Sequence, residues 1–472
     1  MTEAIVRAIF PCIAIAAALS GCAGGPAFQR PDVVLPAEWQ SVVGTPSVAP
    51  VSPTWWTDFQ SQELNRLVAA AIENNRDLKA AASRIAQARA LAQIAGANLA
   101  PSIGASADVV REKRGGNPRS TRQSASLATS IEPDIWGKNR QSHEAATSRL
   151  ESSVHAQRAV TLALQAEVAT TYFVVLSAQD RLAVAQKNLG TAETLLRLVQ
   201  AQHRAGAISG LEVARQQSLV ASVKADIAPL RQQIQQALNA LAVLLGRYPQ
   251  NLSIAKTPLD SVRLPQVSAG LPSTLLERRP DIQKAETDLA AAQADIDVAR
   301  AALFPSIKLT ASGGGESASL ASLLRPSNVV YAFAAGLTAP IFDGGRLRGQ
   351  LAVAKARQDE LLQVYQQSIL LALREVEDSL SALQNLADQA AQQKDVVTHA
   401  TTALRIAELR YRNGAFEFAT VVDAQRVLLA AQSTQESITL SRYAATISLY
   451  RALGGGWDKS APTSMISTAK LR

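Results

Sequence analysis

Side chains that could perform catalytic or metal chemistry are few and scattered in this 472-residue sequence. The four histidines are His143, His155, His203 and His399. They lack the spacing of metal ligands, and the glycine runs Gly313–Gly315 and Gly454–Gly456 lack the context of nucleotide-binding loops. The net charge is +8, but basic and acidic residues are interspersed along helical stretches. The sequence therefore predicts no enzyme, no cofactor, no metal site and no nucleic-acid partner.

Cys22 is the residue with the clearest predicted modification. An apolar stretch, Ala8–Leu19, has the length of a signal peptide and ends in Leu19-Ser20-Gly21-Cys22, which resembles the processing box of bacterial lipoproteins. This predicts cleavage before Cys22 and lipid on its sulfur and new amino group. The alternative is an ordinary secretory signal with a chance cysteine. Ala23 follows Cys22 where an Asp would favour inner-membrane retention, and Cys12 lies in the discarded segment.

Asp423 is the acidic residue whose setting most suggests a function. It follows Val421-Val422 about two turns after a predicted chain reversal at Arg412–Ala415. A first reversal is predicted at Arg204–Gly210, and in both places glycine permits a tight connection between antiparallel helices. An Asp near a helix start is, on its own, more typical of a solvated face or of a favourable helix-dipole contact.

An internal duplication positions these residues. When the sequence is shifted by 204 positions, Asp77 falls on Asp281 and Pro101-Ser102-Ile103 falls on Pro305-Ser306-Ile307. When it is shifted by 208, His203–Ala207 falls on Tyr411–Ala415. The chain is therefore predicted to contain two copies of one unit of roughly 200 residues.

Each half is predicted to form a helix, two strands, a very long helix and a shorter helix. The first half has helices over Ser61–Leu99, Arg140–Arg204 and Gly210–Leu245 and strands over Pro101–Arg111 and Ser124–Glu132. The second half has helices over Asp281–Ala302, Leu347–Tyr411 and Phe418–Leu453 and strands over Ser306–Gly313 and Asn328–Ala339. A helix of about 65 residues is roughly 100 Å long and requires neighbouring helices to pack against.

The strands alternate apolar with small or polar residues. Ile307, Leu309 and Ala311 share one face, and Tyr331 and Phe333 lie on the apolar face of the last strand. Four strands cannot close a membrane barrel, since single-chain barrels have at least about eight, and lipid does not tolerate open edges. If the strands enter a membrane, several chains must share one barrel, and three chains would supply twelve strands. No run of 18 apolar residues follows the signal, so no conventional transmembrane helix is expected.

Motifs along nearly the whole chain resemble the TolC-like outer-membrane efflux proteins, specifically the NodT/OprM-type lipoproteins that work with RND pumps. The motifs are Leu19-Ser20-Gly21-Cys22, Trp55-Trp56, Glu132–Gly137, Leu271-Pro272-Ser273, Arg278–Ile282, Phe304-Pro305, Phe342–Gly345, Tyr411–Gly414, Asp423-Ala424-Gln425 and Ala452–Trp457.

The resemblance implies a fold of mixed α+β class. It implies a homotrimer with a twelve-stranded β-barrel in the outer membrane, four strands per chain, continued by a long antiparallel α-helical barrel in the periplasm. It also implies three partners: a periplasmic membrane-fusion adaptor, an inner-membrane RND transporter and the lipid of the outer membrane.

The resemblance implies roles for particular residues. The helix tips would contact the adaptor: Gly206, Ala207, Ile208, Ser209, Gly414, Ala415 and Phe416. Asp423 would form an acidic, cation-selective ring at a periplasmic gate. Ala419 stands where relatives often have Leu, so a tight apolar ring is not expected. Arg410 and Arg412 are candidate partners of Asp423 in a closed state.

The predicted organisation has five parts. They are a signal peptide over 1–21, a lipidated arm over 22–54, a first repeat over 55–265, a second repeat over 266–457 and a tail over 458–472. The predicted function is passive export of small molecules through an outer-membrane channel. The alternatives are a coiled-coil lipoprotein spacer without a pore, or a channel serving type I secretion or metal efflux.

Overall fold

The computed structural model describes residues 28–41, 51–113, 115, 120–250, 252–415 and 417–456. Four sequence predictions lie outside the described residues: the signal peptide over 1–21, the lipidation of Cys22, the adaptor contact of Phe416 and the tail over 458–472.

The helices and strands of the described chain follow the predicted order. They are α1 (Gln62–Asn74), α2 (Arg76–Ala97), β1 (Ser102–Glu112), β2 (Ser120–Ile131), α3 (Lys138–Arg204), α4 (Gly210–Leu244), α5 (Leu275–Arg278), α6 (Pro280–Ala301), β3 (Ser306–Ser317), β4 (Val329–Thr338), α7 (Arg346–Arg412) and α8 (Phe418–Ala452). Short 3₁₀ turns lie at Trp55–Phe59, Leu259–Ser261, Pro272–Thr274, Leu320–Ser322 and Pro326–Asn328.

Corresponding helices of the two halves have equal lengths. Both α2 and α6 have 22 residues, α3 and α7 both have 67, and α4 and α8 both have 35. One predicted helix was wrong: Ser61–Leu99 is divided into α1 and α2 at Asn75, whose φ of −57° and ψ of 134° leave the helical region. The side chain of Asn75 accepts a hydrogen bond from Leu78 N at 3.0 Å, and such a capping bond favours a new helix start over continuation.

The chain divides into two compact units, each built from separate parts of the sequence. The first contains the described residues of 28–33, 82–155 and 282–368. The second contains the described residues of 34–81, 156–281 and 369–456.

One joint occurs twice in the second unit. Asn75 Nδ2 donates to Leu244 O at 2.9 Å, and Arg279 Nη1 donates to Ala452 O at 3.1 Å. Asn75 and Arg279 are equivalent under the 204-residue shift, and Leu244 and Ala452 are equivalent under the 208-residue shift. The duplicated sequence therefore fixes the same connection between a helix start and the end of a short helix.

A glycine completes this joint in each half. Gly246 and Gly454, again 208 residues apart, have φ of +66° and +84°. A Cβ at Gly246 would lie 2.4 Å from Asn74 O, and one at Gly454 would lie 2.7 Å from Arg278 O. Glycine is needed at both positions because the backbone is left-handed and another backbone segment approaches closely.

The four strands form one antiparallel sheet in the order β1-β2-β3-β4 within the first unit. The register places Ala105 opposite Leu127, Leu127 opposite Gly313 and Gly313 opposite Tyr331, so these residues share one face. That face is mostly apolar and includes Ile103, Ala107, Val109, Ile131, Ile307, Leu309, Ala311, Val329, Phe333 and Leu337. Its polar members are Arg111, Thr121, Gln123, Thr129 and Ser317. The other face carries Ser, Thr, Lys and small residues, as the predicted alternation requires.

The core of the second unit is aromatic. Trp55, Phe59, Tyr172 and Phe173 are almost fully buried, and the rings of Phe173 and Tyr443 lie 4.6 Å apart. By length and composition, α3 contains one 18-residue window apolar enough to cross a membrane, and 56% of that window is buried in the structure. The buried share indicates that this window contributes to the core.

Candidate functional site

The first helix tip is a turn built around Gly206. Gly206 has φ of +74°, and the amides of Gly206 and Ala207 donate to His203 O and Gln202 O, both at 2.9 Å. This is the paired hydrogen-bond pattern that ends a helix at a left-handed residue. Ser209 then begins α4, because its side chain accepts from Leu211 N at 3.2 Å and donates to Glu212. The hydrogen bond from Ser209 lowers the pKa of the Glu212 carboxyl.

The second tip repeats the first. Gly414 has φ of +73°, Gly414 N donates to Tyr411 O at 3.0 Å and Ala415 N donates to Arg410 O at 2.9 Å. The predicted reversals are therefore present, and both glycines meet the conformational demand of the turn. The described tip residues Gly206, Ala207, Ser209, Gly414 and Ala415 are exposed, and Ile208 is partly buried.

The two tips are held together by a small core. Leu195, Val199, Leu219, Val223, Ala407, Phe418, Val421 and Val422 form one buried apolar cluster. At its edge Tyr411 Oη donates to Gln202 Oε1 at 2.7 Å, and the Tyr411 ring lies 5.2 Å from Phe418. Burial and the charge of Glu212 raise the pKa of Tyr411, so its phenol stays protonated and able to donate.

Asp423 lies on the solvent side of this cluster. Val421, Val422 and Gln425 are buried, whereas Asp423 is exposed and Ala419, one turn earlier on α8, is partly buried. Arg410 and Arg412 are exposed in the last turn of α7. The predicted gate residues are thus close in sequence to the tips, and a ring of Asp423 carboxylates requires more than one chain.

Sequence reasoning missed two contacts in this region. The Tyr411–Gln202 hydrogen bond joins residues 209 positions apart, and Glu212 completes the cap of α4. The capping pattern Ser209-x-x-Glu212 was a usable signal. Nothing in the sequence distinguished Tyr411 from His203, its equivalent, which instead has Nδ1 3.0 Å from Ile208 O.

Two acidic residues of the second unit, Asp180 on α3 and Glu436 on α8, interact electrostatically. Asp180 on α3 accepts from Leu259 N at 2.7 Å, and Tyr443 on α8 donates to Val262 O at 2.5 Å. These bonds hold the connector around Leu259–Ser261 against both helices. Burial, together with Asp180 and Asp260, raises the pKa of Glu436 on α8 to about 7, while Arg181 opposes the rise.

Metal binding receives no support from the described residues, among which no group of three or more His, Cys, Asp or Glu could hold an ion.

Comparisons with known proteins agree with this architecture. The profile of the outer membrane efflux protein family matches residues 67–247 and 271–455, that is, once in each half. The chain is 40% identical over 452 residues to the pyoverdine export outer membrane protein OpmQ of Pseudomonas aeruginosa, covering 93% of this chain and 95% of OpmQ. It is 35% identical over 456 residues to the cation efflux system protein CusC of Escherichia coli, covering 95% of this chain and 98% of CusC.

Among solved structures, the outer-membrane channel OprN superimposes with a TM-score of 0.87 at 29% identity, over 92% of this chain and all of OprN. Both matched ranges and the extent of the alignments bear out the assignment made from the sequence motifs. The chain belongs to the outer membrane efflux protein family.

Proposed function

We propose that three copies of this chain form one outer-membrane channel that serves as the passive exit duct of a tripartite efflux pump. The single observation that carries the proposal is the sheet: four long strands with one mostly apolar face and with β1 and β4 at its edges. In lipid an open edge leaves backbone groups unpaired. Three chains supply twelve strands, and pairing β4 of one chain with β1 of the next removes every edge.

The two faces of the sheet have the chemistry that this barrel requires. The apolar face would contact lipid, with Tyr331 and Phe333 at the level where aromatic residues collect near membrane surfaces. The opposite face, which carries Ser106, Ser126 and Thr310, would line the lumen. A polar lumen carries solutes without binding them tightly, which suits a passive duct.

The helix tips would form the periplasmic mouth and receive the adaptor. The exposed turn residues Gly206, Ala207, Ser209, Gly414 and Ala415 present small side chains and backbone, which a partner can approach closely. The buried cluster beneath them, including Val421 and Phe418, gives the tips a fixed shape. An inner-membrane RND transporter would supply the energy, because the duct needs no coupling chemistry of its own.

Asp423 would form the selectivity ring of the mouth. Its exposure next to the buried pair Val421-Val422 leaves the carboxylate free to face a pore axis in the trimer. Three carboxylates around one axis attract cations and repel one another. Arg410 and Arg412 would relieve that repulsion in a closed state, and Ala419 would leave the mouth without a tight apolar constriction.

Cys22 would carry lipid and attach the arm to the inner leaflet of the outer membrane. Support comes from its processing box. Mass spectrometry of the mature amino terminus tests this point, since a Cys22→Ser variant would lack the acyl mass while keeping the folded body.

Single-channel conductance in a planar bilayer tests the pore. We expect small, cation-selective openings for the wild type and a loss of cation preference for Asp423→Asn. Asp388→Asn is the matched control, because Asp388 is also an exposed carboxylate but lies on α7, 24 residues before Arg412. If conductance and cation preference are unchanged in Asp423→Asn, Asp423 does not form a selectivity ring at the mouth. Absence of conductance from folded, inserted trimers would favour the alternative of a coiled-coil lipoprotein spacer.

The cargo is proposed as small molecules. OpmQ is named for pyoverdine export and CusC for cation efflux, so related channels serve different cargoes. Drug, metal-ion or type I secretion phenotypes of a deletion strain would distinguish the cargo classes.

A further inference from the structure

The connection between β3 and β4 lies against the apolar face of the sheet instead of extending away from it. Gly315 is on that face, and a Cβ placed there would be 2.2 Å from Leu323 O. The loop backbone therefore rests on β3 at a position where only glycine leaves room. The close approach of the loop explains the glycine at position 315, one member of the run Gly313–Gly315. This run belongs neither to the helix tips nor to the helix joint.

The loop has a defined shape. Asn328 Nδ2 donates to Ser322 O at 2.7 Å, Arg325 N donates to Ser322 O at 3.1 Å, and the hydroxyls of Ser317 and Ser322 are hydrogen-bonded. These bonds hold Leu320 and Leu324 at 70% and 89% exposure. An ordered loop that keeps two leucines outward next to an apolar face calls for an apolar neighbour, because removing leucine side chains from water is favourable.

A groove lies between the loop and the sheet. Its volume is about 530 Å³ and its floor is made by small residues, while the loop and a strand end form its walls. The floor includes Ala107, Ala125 and Gly313, and the walls include Leu323, Leu324 and Val329. A Cβ at Gly313 would meet no atom within 4 Å, so the groove is open above this residue. Tyr331 lies opposite Gly313 on the same face.

Two basic residues lie at the same end of the sheet. Arg111 belongs to the apolar face because it alternates with Val109 and Ala107, and it pairs in register with Thr121 near the β1–β2 connection. Arg325 lies in the β3–β4 loop itself, and both side chains are exposed. Guanidinium groups bind phosphate with two parallel hydrogen bonds. The acids nearby are placed differently: Glu316 lies 3.7 Å from Arg122, and Asp108 and Glu112 alternate onto the polar face.

We propose that this groove binds lipid A, with one acyl chain over Gly313 and against Leu323 and Leu324, and a glucosamine phosphate on Arg111 and Arg325. This rests on the proposed function, since the apolar face must lie in the outer membrane. The loop end of the sheet is the end remote from the helices, so in that membrane it faces the outer leaflet. Lipid A joins several acyl chains to a disaccharide that bears two phosphates, which matches an apolar groove with two arginines at the same end of the sheet.

The test measures the temperature at which purified trimers dissociate in detergent, with and without diphosphoryl lipid A. Gly313→Leu fills the groove without a backbone conflict. Gly104→Leu is the matched control, since Gly104 also has nothing within 4 Å of a Cβ but lies on the polar face. Arg111→Gln with Arg325→Gln tests the phosphate contact on an exposed surface where folding is not at risk.

We expect lipid A to raise the dissociation temperature of the wild type and of Gly104→Leu, but not of Gly313→Leu. The arginine variant should need about tenfold more lipid for the same effect, and dephosphorylated lipid should act equally on it and on the wild type. An equal response of Gly313→Leu and the wild type would overturn the proposal. So would an equal response of the wild type to lipid with and without phosphate. No response of a wild-type channel that still conducts overturns the lipid site alone; failure to insert and conduct overturns the site and the channel together.

Discussion

Arg279 is the residue of the helix joint whose removal should be most costly. Its side chain is 8% exposed, with Nε and Nη2 on Asp281 at 3.0 and 2.6 Å. Nη1 donates to Glu375 at 2.7 Å and to Ala452 O at 3.1 Å. Burial opposes the charge, but Asp281 and Glu375 outweigh it and raise the pKa of Arg279. The guanidinium therefore links the start of α6, α7 and the end of α8.

The substitution Arg279→Met keeps much of the buried volume and removes the charge. Breaking a fully buried ion pair from one side costs about 3–5 kcal/mol. Here Asp281 and Glu375 remain 44% and 31% exposed, so water partly replaces the arginine and we expect a loss of about 2–3 kcal/mol. At roughly 2–4 °C per kcal/mol, this lowers the unfolding temperature by about 4–12 °C.

Thermal unfolding of the full chain in detergent, followed by circular dichroism, measures this loss. Arg357→Met is the control, because the Arg357–Glu360 pair is exposed and should contribute less than about 1 kcal/mol. Adding Glu375→Gln to Arg279→Met should restore part of the stability by removing an unpaired charge. The reasoning is refuted if Arg279→Met unfolds within 1–2 °C of the control, on the same scale of about 2–4 °C per kcal/mol.

Three further predictions concern pH, the glycine joint and the helix tips. Glu436 has its pKa raised from 4.5 to about 7 in the folded chain, so the fold favours the protonated carboxyl. Stability should therefore fall as pH rises from about 4.5 to 7 and level off above. The variant Glu436→Gln should unfold several degrees higher than the wild type at pH 8 and about equally at pH 4. Gly454→Ala should lower the free energy of unfolding by more than about 1–2 kcal/mol, because of its φ of +84° and the contact with Arg278 O. Gly349→Ala, in a helix with open space around it, should be neutral or stabilising. Equal unfolding temperatures of the two variants would contradict the close approach. Tyr411→Phe keeps the ring contact with Phe418 and loses the bond to Gln202, so hydrogen exchange in residues 199–211 should become faster, while Tyr248→Phe, which changes an 86% exposed tyrosine, should leave that exchange unchanged.

Much of the fold was predictable because it depends on local chemistry and on duplication. Pro101 and Pro305 mark the helix-to-strand transitions, and glycines mark the helix tips. The alternation of apolar and polar residues assigned the two faces of the sheet. The break at Asn75 was not predicted, although Asn74-Asn75 interrupts the alanine-rich pattern and Asn75 caps the next helix locally. The other bond of Asn75, to Leu244 O, joins residues 169 positions apart and could not be foreseen. The start of β2 and the end of β3 were likewise misplaced by four residues, since pairing in the sheet extends strands beyond their own apolar pattern.

The site was predictable only where it follows from the turn or from the family motifs. Gly206 and Gly414 were predictable because glycine is typical of such turns, and Asp423 was predictable because its neighbours are apolar. The Tyr411–Gln202 bond joins residues 209 positions apart, and the raised pKa of Glu436 depends on Asp180 and Asp260, which are distant in sequence. The contact of the loop with Gly315 is local, but it depends on how the loop folds back onto the sheet. Their energetics depend on burial and distance, which become visible only in the folded chain.

The assembly of three chains around one barrel is best tested by disulfide crosslinking between neighbouring subunits. The two native cysteines are Cys12 and Cys22, so a background with both Cys12→Ser and Cys22→Ser has no competing thiol, whether or not the signal segment is removed. In this background one cysteine is placed on β1, at Ala107, and one is scanned along β4. We predict that oxidation at one register of β4 gives covalent dimers and trimers of chains in the membrane, and no larger species. Crosslinking that stops at dimers, or its absence at every position of β4 in inserted protein, would contradict the shared twelve-stranded barrel.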